Sequence, residues 1–251
     1  MFGESVRGYQ WQNGGAYAEY ASVPEDALAP KPANVTFEQA ASVPTSGLIV
    51  LHNLPNEDLL RSGMSVLING GGVGALALQI AKAYGARVTG VDRAGKLEMI
   101  RSLGADRVID YAKEDFTRSG ERYDLIFDIP GNRPFSECLA ALTPGGTYVL
   151  IGHDGFGRGA GRWLGSVPRV LKLVVLSPFV SQLPPPNFSI PNKMDSMAIL
   201  KDLLQAGKLT PVIDRTFPLT QVPEAIGYLE EGRARGKVVI SVRAAEDSAG
   251  G

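Results

Sequence analysis

The sequence predicts an α/β fold centred on a doubly wound parallel sheet, and three observations predict it. Between residues 65 and 152, short apolar runs alternate with segments of helical spacing. The runs are nearly continuous in hydrophobic residues, as strands covered on both faces must be. The first run opens into a glycine cluster and a helix, and the second ends in an acid, Asp92. A chain of 251 residues with 44% apolar content can bury the core of one large domain or two small ones.

Along the chain, residues 1–35 are rich in glycine, proline and aromatics, and AYAEYASV alternates as small strands do. A helix is expected over 36–53, with Thr36 as N-cap and Glu38 in its first turn. Strands follow at 65–69, 86–92, 106–110, 123–129 and 145–152. Helices are expected between them at 74–85, 94–105 and 132–143, with Gly104 placed to stop the second. The segment 153–193 is irregular, with glycines in DGFGRGAGR and prolines in QLPPPNFSIPNK bracketing an apolar helix near 163–176. That helix is expected to be buried or at an interface and to end near Pro178. The last third predicts helix 194–207, strand 211–217, helix 221–231 and strand 237–242, then a frayed tail at 244–251.

Composition narrows the partners. The formal net charge is −1, and no basic aromatic patch stands out, so nucleic acid is not an expected partner. The opening MFGESVRGYQWQNGG lacks the apolar centre of a secretory signal. The stretch VLKLVVLSPFV is too short and too interrupted to cross a bilayer. No membrane association is expected, and a cytoplasmic location is. The single cysteine, Cys138, forms no internal disulfide and reads as a small buried hydrophobe.

The chemistry concentrates in INGGGVGALALQIAKAYGARVTGVD, residues 68–92. Glycine lets the backbone turn sharply and approach a ligand. The first turn of the following helix has free N–H groups and a positive dipole end, which together suit a pyrophosphate. Asp92 lies 21 residues beyond Gly71, near the spacing of about 20 typical of the acid that binds an adenosine ribose. Aligned on its last two glycines the motif reads Asn69-x-Gly71-x-x-Gly74, with asparagine where the first glycine is expected. Asn69 is expected to tolerate an unusual backbone angle there. Asn69, Gly71, Gly72, Val73 and Gly74 are the candidate phosphate cradle.

At GGGVGALALQIAKAYGARVTGVDRAGKLEMIRSLGADRVIDY the chain resembles the cofactor domain of the medium-chain dehydrogenase/reductase superfamily. It is most similar to the zinc-independent, quinone-oxidoreductase-like branch and its alcohol dehydrogenase-like relatives. GGAYAEYASVP, AASVPTSGLIVL, PVIDRTFPLTQVPEAIGYLEEG and GRARGKVVI also resemble that family, in the family's order. The resemblance implies a Rossmann dinucleotide-binding domain at 40–212. It implies remnants of a GroES-like β-barrel catalytic domain at 1–39 and 213–243, with about 90 residues of that domain missing upstream. Substrate-side proton donors in the family lie mostly in that part, so no catalytic residue is assigned.

The resemblance implies an NAD(P)(H)-dependent oxidoreductase that moves a hydride between nicotinamide and a carbonyl, enone or quinone, acting as a homodimer on a small-molecule substrate. The alternative expectation is a non-catalytic NAD(P)H-binding protein, a redox sensor or partner subunit. Zinc is not expected, because AASVPTSGL places Pro44, Thr45 and Ser46 where zinc enzymes carry a cysteine ligand, and no pattern links His52 and His153. Asp92 favours NAD, whereas Arg93 and Lys96 favour the 2′-phosphate of NADPH or are solvated helix-start charges. Lys96 and Tyr111 match positions that contact the 2′-phosphate side in NADPH-using relatives. The cofactor is therefore NADP or NAD, with a slight lean to NADPH. Thr45 matches a cofactor contact, and Ile49 replaces a residue that carries a hydroxyl in many relatives. Ile129, Pro130, Ile151 and Gly152 either line the nicotinamide half or simply pack at the sheet end. His153 lies close to where a nicotinamide would lie. Lys237 is near the diphosphate or on the surface, and Tyr17 and Tyr20 are packing residues.

Overall fold

The structure is a computed structural model of all 251 residues, and it describes residues 1–4, 17–54, 60–152, 167–184 and 193–242. Two compact units emerge: residues 1–48 with 190–251, and residues 49–189.

In the first unit, β1 (Phe2–Gly3) pairs antiparallel with β2 (Leu28–Ala29). No strand forms at 17–24, and Tyr17 and Tyr20 are exposed rather than packed. An alternating run becomes a strand only where another strand takes its backbone groups, and β1 and β2 pair with each other. The helix expected over 36–53 is two helices, α1 (Phe37–Ala41) and α2 (Pro44–Asn53). Pro44 has no N–H to continue the α1 ladder and its ring excludes the helical path, so the chain restarts there. Thr36 caps α1 in a full capping box: Gln39 N–H donates to Thr36 Oγ1 at 3.2 Å, and Thr36 N–H donates to Gln39 Oε1 at 2.9 Å.

The second unit holds β3 (Ser65–Asn69), α3 (Gly71–Ala83), β4 (Arg87–Asp92), α4 (Leu97–Ser102), β5 (Arg107–Asp110), β6 (Tyr123–Asp128), α5 (Phe135–Ala140), β7 (Leu142–Leu150) and α6 (Val167–Leu176). Its five strands are all parallel, in the order β5-β4-β3-β6-β7. This is a doubly wound sheet of Rossmann type.

Alternation along the strands divides the core. Leu67, Val91, Ile109, Ile126 and Tyr148 face one layer, into which Phe135 and Leu139 of α5 and Leu173 and Leu176 of α6 pack. Ile68 and Gly90 face the other. A Cβ at Gly90 would lie 2.5 Å from Ile100 of α4, so that helix sits close on the sheet. Expected to be buried or at an interface, α6 packs Leu173 and Leu176 on the core and leaves Leu171 and Val175, four residues apart, exposed. Gly104 stops α4 with φ +100°, and the loop turns to β5.

The first unit closes with α7 (Lys193–Gln205), β8 (Ile213–Pro218), α8 (Val222–Glu230) and β9 (Lys237–Ser241), with β8 and β9 parallel. The contacts of α7 lie within the first unit. Leu200 packs on Gly47, whose Cβ would fall 2.5 Å from the leucine methyl, and Asn34 Nδ2 donates to the Leu204 carbonyl at 3.0 Å. The expected tail at 244–251 lies outside the described residues. No described helix is long and apolar enough to cross a membrane.

Candidate functional site

β3 pairs with β4 on one side and with β6 on the other, so the strand order reverses beside it. In open α/β sheets ligands bind outside the carboxyl ends of strands at such a switch point. Asn69 ends β3, opposite Val91 of β4 and Asp128 of β6, and Asp128 lies opposite Leu150 of β7. The glycine loop, Asp92 and the turn after β6 therefore emerge along one rim of the sheet.

The turn into α3 is made by Gly70 and Gly71, at φ +75° and +82°. Asn69 does not adopt an unusual angle, since no described residue other than glycine has positive φ. The correction has a clear cause: the bend falls one residue later than the motif alignment suggests, leaving Asn69 as the last residue of the strand. Its side chain has another use. Nδ2 donates to Asp128 Oδ1 at 2.9 Å.

Neighbours press on this turn from one side only. A Cβ at Gly70 would lie 3.2 Å from Pro130, one at Gly71 3.1 Å from Ile129, and one at Gly74 3.1 Å from Ile68. A Cβ at Gly72 would meet nothing within 4 Å. Gly72, in the first turn of this 13-residue helix, is exposed, and Gly70 gives the helix no side-chain cap, so the first-turn N–H groups have no side-chain acceptor from the N-cap. An anion of pyrophosphate type fits a cradle of this kind by charge and by room.

At the end of β4, Asp92 is buried and its Oδ1 accepts the Arg93 N–H at 2.8 Å. Arg93 and Lys96 are half-buried on the turn that leads to α4, and Tyr111 is exposed with its N–H on the Asp92 carbonyl at 3.3 Å. The four residues proposed for the adenosine end are thus neighbours on one corner of the rim.

On the other side, Ile129, Pro130, Ile151 and Gly152 follow β6 and β7. Ile151 N–H donates to the Asp128 carbonyl at 2.9 Å, and a Cβ at Gly152 would lie 2.6 Å from the Ile129 carbonyl oxygen. Gly152 is therefore required for the close passage of the two strand ends. His153 lies outside the described residues.

Sequence reasoning missed Asp128. It has no exposed surface, and its carboxylate accepts three donors: Asn69 Nδ2, Gly131 N–H at 3.0 Å and the Tyr148 hydroxyl at 2.7 Å. Asn69 Nδ2 also reaches Asn132 Oδ1 at 3.5 Å. One clue was available: an acid closing the otherwise apolar run YDLIFDI must find partners if it is buried.

Thr45 is exposed on α2 and belongs to the first unit, whereas the rim belongs to the second. Its neighbour Ser46 is buried and accepts a short hydrogen bond from Lys237 Nζ. Burial pushes the Lys237 ammonium down to a pKa of about 8. Burial also lowers the pKa of His52 on α2. Cys138 is enclosed in the sheet core. Among the described residues no three His, Cys, Asp or Glu side chains converge in a way that could hold a metal.

A family model described as zinc-binding dehydrogenase matches residues 103–240, more than half of the chain. The chain is 36% identical to 2-methylene-furan-3-one reductase of Solanum lycopersicum, over 90% of this chain and 52% of that protein. It is 35% identical to a chloroplastic NADPH-dependent alkenal/one oxidoreductase of Arabidopsis thaliana, over 90% of this chain and 53% of that one. The chain spans about half the length of these two relatives. Among solved structures it is similar to the quinone oxidoreductase from Coxiella burnetii, with a TM-score of 0.73 at 28% identity, covering 91% of this chain and 68% of that one.

Proposed function

The chain belongs to the zinc-binding dehydrogenase family, in the quinone-oxidoreductase-like branch of the medium-chain dehydrogenase/reductase superfamily, and from this we propose that it binds NADPH and serves zinc-independent hydride transfer to a carbonyl, an activated alkene or a quinone. The observation that carries the reading is the open cradle at Gly72, between the positive-φ turn at Gly70–Gly71 and the first turn of α3. When bound, the nicotinamide supplies the hydride.

The protein's own residues supply position and charge. N–H groups of Gly72, Val73 and Gly74 face the diphosphate. Asp92 accepts from the adenosine ribose, and one of its oxygens is already held by the Arg93 N–H. Arg93 and Lys96 offer cations to a 2′-phosphate, which supports NADPH over NADH. The likeness to an NADPH-dependent alkenal/one oxidoreductase supports the same choice and the enone class of acceptor. Backbone groups at Ile129, Pro130, Ile151 and Gly152 border the nicotinamide half and exclude water from it.

The doubly substituted variant Arg93→Ala, Lys96→Ala tests the cofactor. NADPH affinity should fall about 10- to 100-fold, the loss of one or two charge-assisted contacts, while NADH affinity changes little. Tighter binding of NADH than NADPH by the wild type would contradict the choice. Loss of reduced-nicotinamide absorbance in the presence of enones, quinones or aldehydes tests turnover, and no turnover with any of the three classes would refute the catalytic reading.

A further inference from the structure

The Asp128 carboxylate has no exposed surface, and its three donors are a side-chain amide, a backbone N–H and a phenol. All three are neutral. No Lys, Arg or His among the described residues makes an ion pair with it. Three hydrogen bonds make the burial tolerable, but no contacting cation cancels the field. A buried charge acts on its surroundings through a lower effective dielectric than water provides.

Its place in the sheet says what that field reaches. Asp128 closes β6, on the side of β3 opposite to β4. The end of β4 carries Asp92 and the adenosine-side residues. Strands are about 4.8 Å apart, so Asp128 lies roughly 10 Å across the sheet from Asp92. In a doubly wound sheet the two halves take the two mononucleotides. Asp128 therefore underlies the half left for the nicotinamide, beneath Ile129 and Pro130.

We propose that Asp128 is an electrostatic positioning residue that favours the oxidised, cationic nicotinamide over the reduced, neutral one and so makes a bound dinucleotide a better hydride donor. The inference rests on the proposed cofactor. When the hydride leaves, two electrons and one proton pass to the acceptor, and the donor ring changes from neutral to cationic. A fixed negative charge behind the ring stabilises the second state. A merely structural Asp128 would move both affinities together.

The test is equilibrium binding of NADP⁺ and NADPH to the whole chain, compared in wild type, Asp128→Asn and Asn132→Asp. Asp128→Asn keeps the shape and can accept at one atom from Asn69 and Gly131, while Tyr148 turns its hydroxyl to accept. It removes the charge. The ratio of the NADP⁺ to the NADPH dissociation constant should rise at least about fivefold. Asn132→Asp adds a carboxylate at an exposed position beside the network, so its ratio should fall by about twofold, weakened by solvent screening. Equal shifts of both constants in Asp128→Asn, or a rise in the ratio in Asn132→Asp, would overturn the proposal. If Asp128→Asn does not fold, an unchanged ratio in Asn132→Asp overturns it alone. Absence of binding of either nucleotide to the wild type would instead remove the cofactor on which the proposal stands.

Discussion

Adjacent glycines at the mouth of α3 answer to different constraints. Gly71 sits at φ +82° with Ile129 beside it, so Gly71→Ala should destabilise by roughly 1–2 kcal/mol, read as a lower urea midpoint. Gly72 is helical and open, so Gly72→Ala should keep or raise stability, by up to about 1 kcal/mol from helix propensity. Yet its methyl enters the space proposed for the diphosphate, and NADPH affinity should fall at least tenfold. Equal affinity in wild type and Gly72→Ala would place the phosphates elsewhere. Lys237 is a second residue with a signed expectation. Its folded pKa is lowered to about 8 from 10.5 by burial. Between those values the unfolded chain holds the proton and the folded chain does not, so its contribution to stability rises with pH across that window. Below about 8 the full burial penalty stands. Lys237→Met should therefore be more stable than wild type near neutrality, and the gap should close as pH rises from about 8 to 10.5, measured by urea unfolding at each pH. A gap independent of pH would contradict the assignment. At this scale the sequence announces the glycines and Asp92 through spacing, because a turn and a strand end impose fixed distances. It is silent on Asp128, since a buried acid is legible only through partners drawn from distant strands: Asn69, Gly131 and Tyr148.

Elements were legible where one local rule decides them. The capping box at Thr36 was half visible in Thr36 and the polar first turn, and Thr36→Ala should cost about 1 kcal/mol in thermal or urea unfolding. A cost near zero would mean that packing of the α1–α2 segment, and not its cap, holds the helix start. Where two rules compete, reading failed. Helical spacing runs through 36–53, but Pro44 breaks the backbone ladder, and the backbone wins. Alternation at 17–24 was outranked by pairing, which the pattern cannot supply. α6 shows a third limit. Its apolar positions lie on two faces, and only contacts separate Leu173 and Leu176, which pack on the core, from Leu171 and Val175, which face outward.

At the scale of the whole molecule, alternation of apolar runs and helices identifies a parallel sheet, because burial on both faces demands it. Strand order is not contained in that pattern. The order β5-β4-β3-β6-β7, and with it the switch point beside Asn69, comes from pairings between strands as far apart in sequence as β3 and β6. α7 joins the first unit through Leu200 and Leu204, contacts that a helical pattern alone does not contain. The sheet, its glycine turn and its charged corner serve one claim, that the rim between β4 and β6 holds a nicotinamide dinucleotide by its diphosphate. Titration of NADPH into the protein, followed by reduced-nicotinamide fluorescence, tests this most directly. Saturable binding that excess NADP⁺ reverses and that Gly72→Ala weakens is the expected result; a flat response to both NADPH and NADH up to millimolar concentration would show that the rim does not hold the dinucleotide.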